Sequence, residues 1–292
     1  MHDHGHSHGG EGVRIGWAFF LNVGFTIIEF VGGVLTNSTA IMADAVHDLG
    51  DSLSIGFAWL LARLSSKQAT ASFTYGYRRF SLLGSFINAL VLIVGSVWVL
   101  SEAIPRLDDP PMPMAGGMLG MAVFGVLVNG FAAYKLSKGK TLNERVLNWH
   151  LMEDVLGWVA VLVVAIILMF VDWPILDPLL SIGFTLFILF NVGRNFWQTV
   201  RLFLQASPSP ELKQSVEQTL RSLPGVEDLH HLHLWSLDGE RHVLSVHLRT
   251  GELNSVEDQK QLKHAISHAL SEYELAHTTV ELEFDTEPCR DR

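Results

Sequence analysis

The chain has 292 residues, 49% of them hydrophobic and only 17% charged, with a mean hydropathy of +0.29, a balance that excludes an ordinary soluble domain and points to a membrane protein. Its 20 Lys and Arg against 30 Asp and Glu leave a net charge of −10, which argues against nucleic acid as a partner. The single cysteine, Cys289, excludes an internal disulfide and any CxxC metal or redox motif.

In chain order, the first residues alternate His2, His4, His6 and His8 with small or acidic residues, a composition suited to loose metal binding by neutral imidazoles. A tag remnant or plain disorder explains the same composition. The positive n-region of a signal peptide is missing, so the N-terminus is expected to be retained. Six apolar segments follow, near 14–35, 40–64, 80–104, 115–137, 146–171 and 175–200, each at or above the ~20 residues a spanning helix needs. Arg63, Lys67, Arg78 and Arg79 lie in one connecting loop, Lys135, Lys138, Lys140 and Arg145 in another, and Arg194 and Arg201 at the end of the sixth segment. The opposite loops carry mainly Asp and Glu, so the positive-inside rule places both termini in the cytoplasm.

The second segment holds Asp44, His47, Asp48 and Asp51. At about 100° per residue these four fall within roughly a third of the helix circumference. A charged side chain at mid-membrane costs about 2.5–3.5 kcal/mol on insertion scales, so several on one span need partners, water or a bound cation. The fifth segment repeats the theme, with His150 and Asp154 one turn apart. Two such i, i+4 pairs deliver two imidazoles and two carboxylates to one point, the donor set of a tetrahedral zinc-like site. Neutral imidazoles and two carboxylates around a divalent cation leave no net charge.

Ala206-Ser207-Pro208-Ser209-Pro210 ends the apolar pattern. Ser209 followed by Pro210 starts a helix, and Val226–Leu237 and Arg241–Thr250 read as strands joined through Asp238-Gly239. Ser255 caps a second helix, and Thr278–Phe284 alternates as a third strand. The order αββαβ predicts a small two-layer α+β unit. It is rich in His230, His231, His233, His242, His247, His264, His268 and His277, most of them expected to be ordinary surface residues. Strict alternation puts His231 and His233 on one face of the first strand and His230 on the other.

With these residues in hand the chain resembles a cation diffusion facilitator, the family of proton-coupled zinc and divalent-metal exporters. The resemblance rests on Ala43-Asp44-Ala45-Val46-His47-Asp48-Leu49-Gly50-Asp51, Tyr75-Gly76-Tyr77-Arg78-Arg79, the His150 and Asp154 pair, and Leu229-His230-His231-Leu232-His233-Leu234-Trp235. It implies an α-helical membrane protein of six transmembrane helices with a small cytoplasmic α+β domain of metallochaperone-like fold, assembled as a homodimer. The regions would be a His-rich cytoplasmic tail over 1–13, a transport domain over 14–205, and a metal-binding and dimerisation domain over 206–292. The transport site would fall on His47, Asp51, His150 and Asp154, and cytoplasmic metal sites on His230, His247 and Asp285 with Glu287 near them. Zn(II) would be the substrate and a regulatory ligand, protons the counter-substrate, and the bacterial inner membrane the location. Residues 64–77 contain no His, Asp, Glu or Cys, and Ser137–Asn143 is too short for a His-rich insertion, which favours a compact bacterial-type member.

Two other classes compete. An intramembrane zinc hydrolase needs a general base beside the metal, and the chain has no His-Glu-x-x-His. A membrane-anchored metal sensor explains the tail and leaves the charged spans without a role.

Overall fold

A computed structural model describes residues 8–64, 69–137, 142–251, 255–284 and 287–291; within these, the side chains of 8–15, 17–18, 58–59, 61–63, 135–136 and 142–150 are left undescribed. The chain forms two compact units, one from the segment ending at Leu64 together with Gly84–Phe196, the other from the loop ending at Leu83 together with everything from Trp197 onward.

Six long helices carry the first unit: α1 (His8–Thr36), α2 (Thr39–Leu64), α3 (Phe80–Ala103), α4 (Ala115–Leu136), α5 (Leu142–Phe170) and α6 (Leu176–Phe203). The first begins at His8, ahead of the predicted span; the others start and stop within a few residues of the apolar segments. Among the described residues, five of them are apolar and long enough to cross a membrane: α1, α3, α4, α5 and α6. The sixth, α2, has 26 residues, about 39 Å of helix at 1.5 Å per residue, and carries its aspartates in the first half. Leu186, Phe187 and Phe190 of α6 and Val94 and Val97 of α3 are exposed, as befits a surface against lipid.

The helices close up over small residues. A Cβ on Gly125 of α4 would strike the indole of Trp158 on α5, itself 1% exposed, and a Cβ on Gly33 would lie 2.7 Å from Met42 Cγ across the α1–α2 turn. Without a hydrophobic drive between helices in lipid, such close backbone approach supplies the packing. Ala40, Ile41, Met118, Ala122, Trp158, Val161, Ala165 and Leu168 form one buried cluster of α2, α4 and α5, and Ala89, Leu92, Ile188 and Val192 another between α3 and α6.

The start of α2 is held from a distance. Asp177, in the first turn of α6 and 2% exposed, accepts from Ser38 Oγ at 2.5 Å, Thr39 N at 2.7 Å, Thr39 Oγ1 at 2.8 Å and Ala40 N at 3.3 Å. Ser181 Oγ, one turn further along α6, donates to Thr39 O at 3.0 Å. A carboxylate at a helix N-terminus satisfies orphan N–H groups and meets the positive end of the helix dipole. This fixes the helix that bears the aspartates.

The second unit runs α7 (Pro210–Arg221), β1 (Val226–Ser236), β2 (His242–Thr250), α8 (Val256–Ala269) and β3 (Leu275–Phe284), the αββαβ order read from the sequence. Ser209 Oγ accepts from Leu212 N at 3.0 Å and Ser255 Oγ from Asp258 N at 3.1 Å, so both caps act as expected. The sheet order is β1-β2-β3, with β1 and β2 antiparallel and β2 and β3 parallel, the crossover being α8. Leu244, Val246 and Leu248 of β2 pack with Val216 and Leu220 of α7 and Leu262 and Ile266 of α8, leaving the opposite face of the sheet for other chemistry.

Candidate metal centres

The membrane unit brings three of the expected ligands together. His47 Nε2 lies 3.9 Å from Asp51 Oδ2 one turn along α2, and 3.7 Å from Asp154 Oδ1 on α5. One donor atom from each of the three residues lies within 4.8 Å of the others. Asp154 is 7% exposed and its Oδ1 makes no hydrogen bond to a described group, while His47 and Asp51 are partly open, so the group can be reached. Phe184 of α6 packs edge-on to the His47 ring, with centroids 6.0 Å apart. The fourth expected ligand, His150, sits on α5 one turn before Asp154, and its side chain lies outside the described residues. Imidazole and carboxylate at this spacing are the donor types a tetrahedral divalent cation takes.

A second cluster lies on the face of the small sheet opposite its apolar core. His230, His247 and Glu281 stand in one row across β1, β2 and β3, and Glu283 follows two residues on from Glu281 on the same face of its strand. His247 Nδ1 is 2.7 Å from Glu283 Oε1, His230 Nε2 is 2.9 Å from Glu283 Oε2, and Cys289 Sγ is 3.6 Å from His247 Nδ1. Donor atoms of His230, His247, Glu283 and Cys289 all fall within 4.8 Å of one another. Two imidazoles, a carboxylate and a thiolate match the donor types and the number that Zn(II) takes in a tetrahedral site. Burial pushes the Glu283 carboxyl up, yet hydrogen bonds with His247 and Cys289 and the nearby His230 outweigh it and hold the group below its ordinary pKa. Burial and the neighbouring Glu283 carboxylate push the Cys289 thiol up. Metal arriving there must therefore displace a thiol proton.

The described donor set shares two residues with the expected one. His230 and His247 are in it; Asp285 lies outside the described residues, and Glu287 turns away, its Oε2 accepting from Phe284 N at 3.4 Å. Glu283 and Cys289 join the two histidines because β3 alternates through Glu281 and Glu283 and, further on, Glu287 N–H donates back to Phe284 O at 2.8 Å. The period-two pattern of β3 was the signal that could have found Glu283. The expected split of the histidines between two faces also fails. His231 has φ +48 and sits in a β-bulge, where the register shifts between His230 and His233. The extra residue breaks the alternation, and the rings of both His230 and His231 approach His247, with centroids at 5.5 and 5.2 Å.

Replacing His247 with Ala in the full chain is expected to remove zinc binding by this cluster and leave the membrane site able to bind. Zinc titration of the intact protein in detergent checks it, since an unchanged stoichiometry would make these histidines ordinary surface residues. The expected affinity of the cluster falls as pH falls, because both imidazoles and the thiol must be deprotonated to ligate.

A bundle of membrane-spanning helices that gathers imidazole and carboxylate groups inside itself, joined to a small ligand-bearing α+β domain, defines a class of integral membrane cation carriers. The family description "cation efflux transmembrane domain" matches residues 17–204, and "cation efflux protein, cytoplasmic domain" matches 208–284. The chain belongs to the cation efflux family, the cation diffusion facilitators. Among curated relatives it is 33% identical to the zinc transporter ZitB of Shigella flexneri, over 98% of this chain and 93% of that one. It is 31% identical to a cadmium, cobalt and zinc/H(+)-K(+) antiporter of Bacillus subtilis, over 96% and 91%. Identity to the metal cation efflux system protein CzcD of Cupriavidus metallidurans is also 31%, over 98% and 91%.

Proposed function

We propose that this chain exports Zn(II), and related divalent cations, from the cytoplasm in exchange for protons, by alternating access through His47, Asp51, His150 and Asp154. It is a secondary antiporter, working as a homodimer in the bacterial inner membrane with both termini in the cytoplasm. The observation that carries this reading is the convergence of His47, Asp51 and Asp154 from two helices of the membrane unit, with donor atoms within 4.8 Å of one another, close enough to share one divalent cation. The relatives' names support the substrate class and the proton exchange. The positive-inside pattern supports the orientation.

In this reading a neutral His47 and His150 pair with ionised Asp51 and Asp154 to receive the cation, whose two charges cancel theirs. Opening to the other side exposes the same groups to protons, which compete for them and release the metal. The His230, His247, Glu283 and Cys289 cluster binds zinc as a regulatory ligand and steadies the paired cytoplasmic domains.

Reconstitution into vesicles tests the whole. Zinc flux is expected to follow an imposed pH gradient and reverse with it; binding without flux would make the chain a membrane-anchored sensor. A selectivity test bears on His47, since imidazole suits zinc and carboxylate suits harder ions. His47→Asp is expected to keep part of the zinc flux and admit Mn(II) more readily. An unchanged metal profile in the same vesicles would remove His47 from the coordinating group.

A further inference from the structure

Of the histidines that belong to neither metal centre, two share one helix. His264 and His268 stand four residues apart on α8. At about 100° per residue they differ by about 40° around the helix axis and by one turn along it, which brings their Cβ atoms to about 5–6 Å from one another. Leu262 and Ile266 of the same helix lie on its opposite side, buried in the apolar core of the small domain. That contact fixes the rotation of α8 and turns both imidazoles outward, where both are exposed.

The face they occupy is an open groove formed by Glu257, Lys260, Gln261, His264, Ala265 and His268. Among the described residues neither ring makes a hydrogen bond, an ion pair or a ring contact. Ser271 Oγ, close by in sequence, donates to the His268 backbone oxygen at 2.6 Å and leaves the ring alone. Lys260, one turn before His264, carries a charge that would repel a cation, and its Nζ lies 3.5 Å from Glu257 Oε2, which offsets it.

A single exposed imidazole holds a metal weakly. Two on one rigid helix make the second bond an intramolecular step, and such linkage raises affinity by about 10²–10⁴ over either ligand alone. Two histidines at i and i+4 hold zinc in the helical His-Glu-x-x-His motif, where the Glu acts as general base. Here Ala265, Ile266 and Ser267 stand between the two rings, so the pair can bind and has no base with which to hydrolyse. Two nitrogens fill two of the four positions that Zn(II) offers and leave the others to water. Magnesium and calcium, which prefer oxygen, gain nothing from such a pair.

We propose that His264 and His268 form a third metal site, a two-nitrogen chelate on the outer face of α8 for the divalent cations that imidazole prefers, Zn(II), Ni(II) and Cu(II). It shares no ligand with the His247 cluster, since α8 covers the apolar face of the sheet and that cluster lies on the other. Half of its coordination positions stay open, so the cation it holds exchanges readily. The site stands on α8 alone and does not depend on proton exchange by the membrane unit.

The test uses the full chain in detergent, unaltered and as His264→Ala and His268→Ala. Diethyl pyrocarbonate modifies imidazoles whose nitrogens are free, and peptide mass spectrometry reads the rate at each histidine separately. His277, exposed on β3, is the internal control. At ten times the dissociation constant, Zn(II) or Ni(II) is expected to slow both rings of the unaltered chain about tenfold by mass action and to leave His277 as it was. Mg(II) at the same concentration slows none of them. In either Ala variant the remaining ring is expected to need at least about a hundredfold more metal for the same protection, the lower end of the gain from linking two ligands. Protection of one ring only, or of the remaining ring at the original metal concentration, overturns the chelate. So do rings that fail to react without metal, which would mean a covered face, and protection that rises with protein concentration, which would mean a bridge between molecules. Equal protection of His277, or protection by Mg(II), would mean loose association with the surface and overturns it too. Both side chains lie outside the apolar core, so the variants are expected to unfold at the temperature of the unaltered chain. Should either fail to fold, joint or separate protection of the two rings in the unaltered chain decides.

Discussion

Asp154→Ala and Asp51→Ala proteins are expected to insert and fold as the unaltered chain does and to move no zinc. Both side chains belong to the three-residue group whose donors lie within 4.8 Å of one another, and neither takes part in the buried clusters that hold the helices together. Loss of a carboxylate leaves the cation short of a ligand and the occupied site carrying excess positive charge inside a membrane. Losing even an outer partner of a metal ligand costs 10–100-fold in affinity, so losing a ligand itself should cost at least about 100-fold. Flux in vesicles and thermal unfolding of the same preparations measure the two halves of this statement, and near-normal flux in either variant removes that aspartate from the site.

The second large effect is the dependence of zinc affinity on pH. A histidine titrates near 6.5 and a carboxylate near 4 in water, and zinc needs both deprotonated. Protons and metal therefore compete for the same nitrogen and oxygen atoms. Affinity is expected to be highest above the histidine range and to fall as pH drops through it, by about tenfold per unit for each proton that binding displaces. Between about pH 7.5 and 6 the loss should be steep, with protons released on binding. A ligand shifts an inward–outward balance only through its different affinities for the two states, so this competition is what turns a pH gradient into direction. Calorimetric proton counts of zero, with affinity independent of pH, would leave a zinc binder with no antiport.

How much of this could be read from the residues alone depended on whether regular geometry held. On α2 and α5 it did, since i, i+3 and i, i+4 spacing is enough to place Asp44, His47, Asp48 and Asp51 on a face and to line His150 up with Asp154. The caps at Ser209 and Ser255 were equally legible because a cap is a local arrangement of three or four residues. The small sheet departed from its pattern at His231, where one extra residue in a bulge rotated the next side chains. Cys289, which the sequence offered only as a cysteine without a partner, returns to the cluster through a turn that no periodicity announces. Glu29 was overlooked for a different reason. A lone acid in an apolar segment does not disturb a reading of that segment as a span, and its complete burial between helices is a matter of packing that no spacing announces.

The cap on α2 bears on how the protein is made. Thr39 N and Ala40 N find their acceptor in Asp177, 138 and 137 residues later in the chain. During synthesis the first five spans leave the ribosome before that carboxylate exists, and among the described residues Ser38 Oγ, which accepts from Ile41 N at 3.2 Å, is the side chain that serves the start of α2 in the meantime. The helix that carries half of the metal ligands is thus left with open N–H groups until the last span enters the bilayer and docks. Completion of the site is tied to completion of the bundle, so a chain arrested before its sixth span would sit in the membrane without offering a finished cation site.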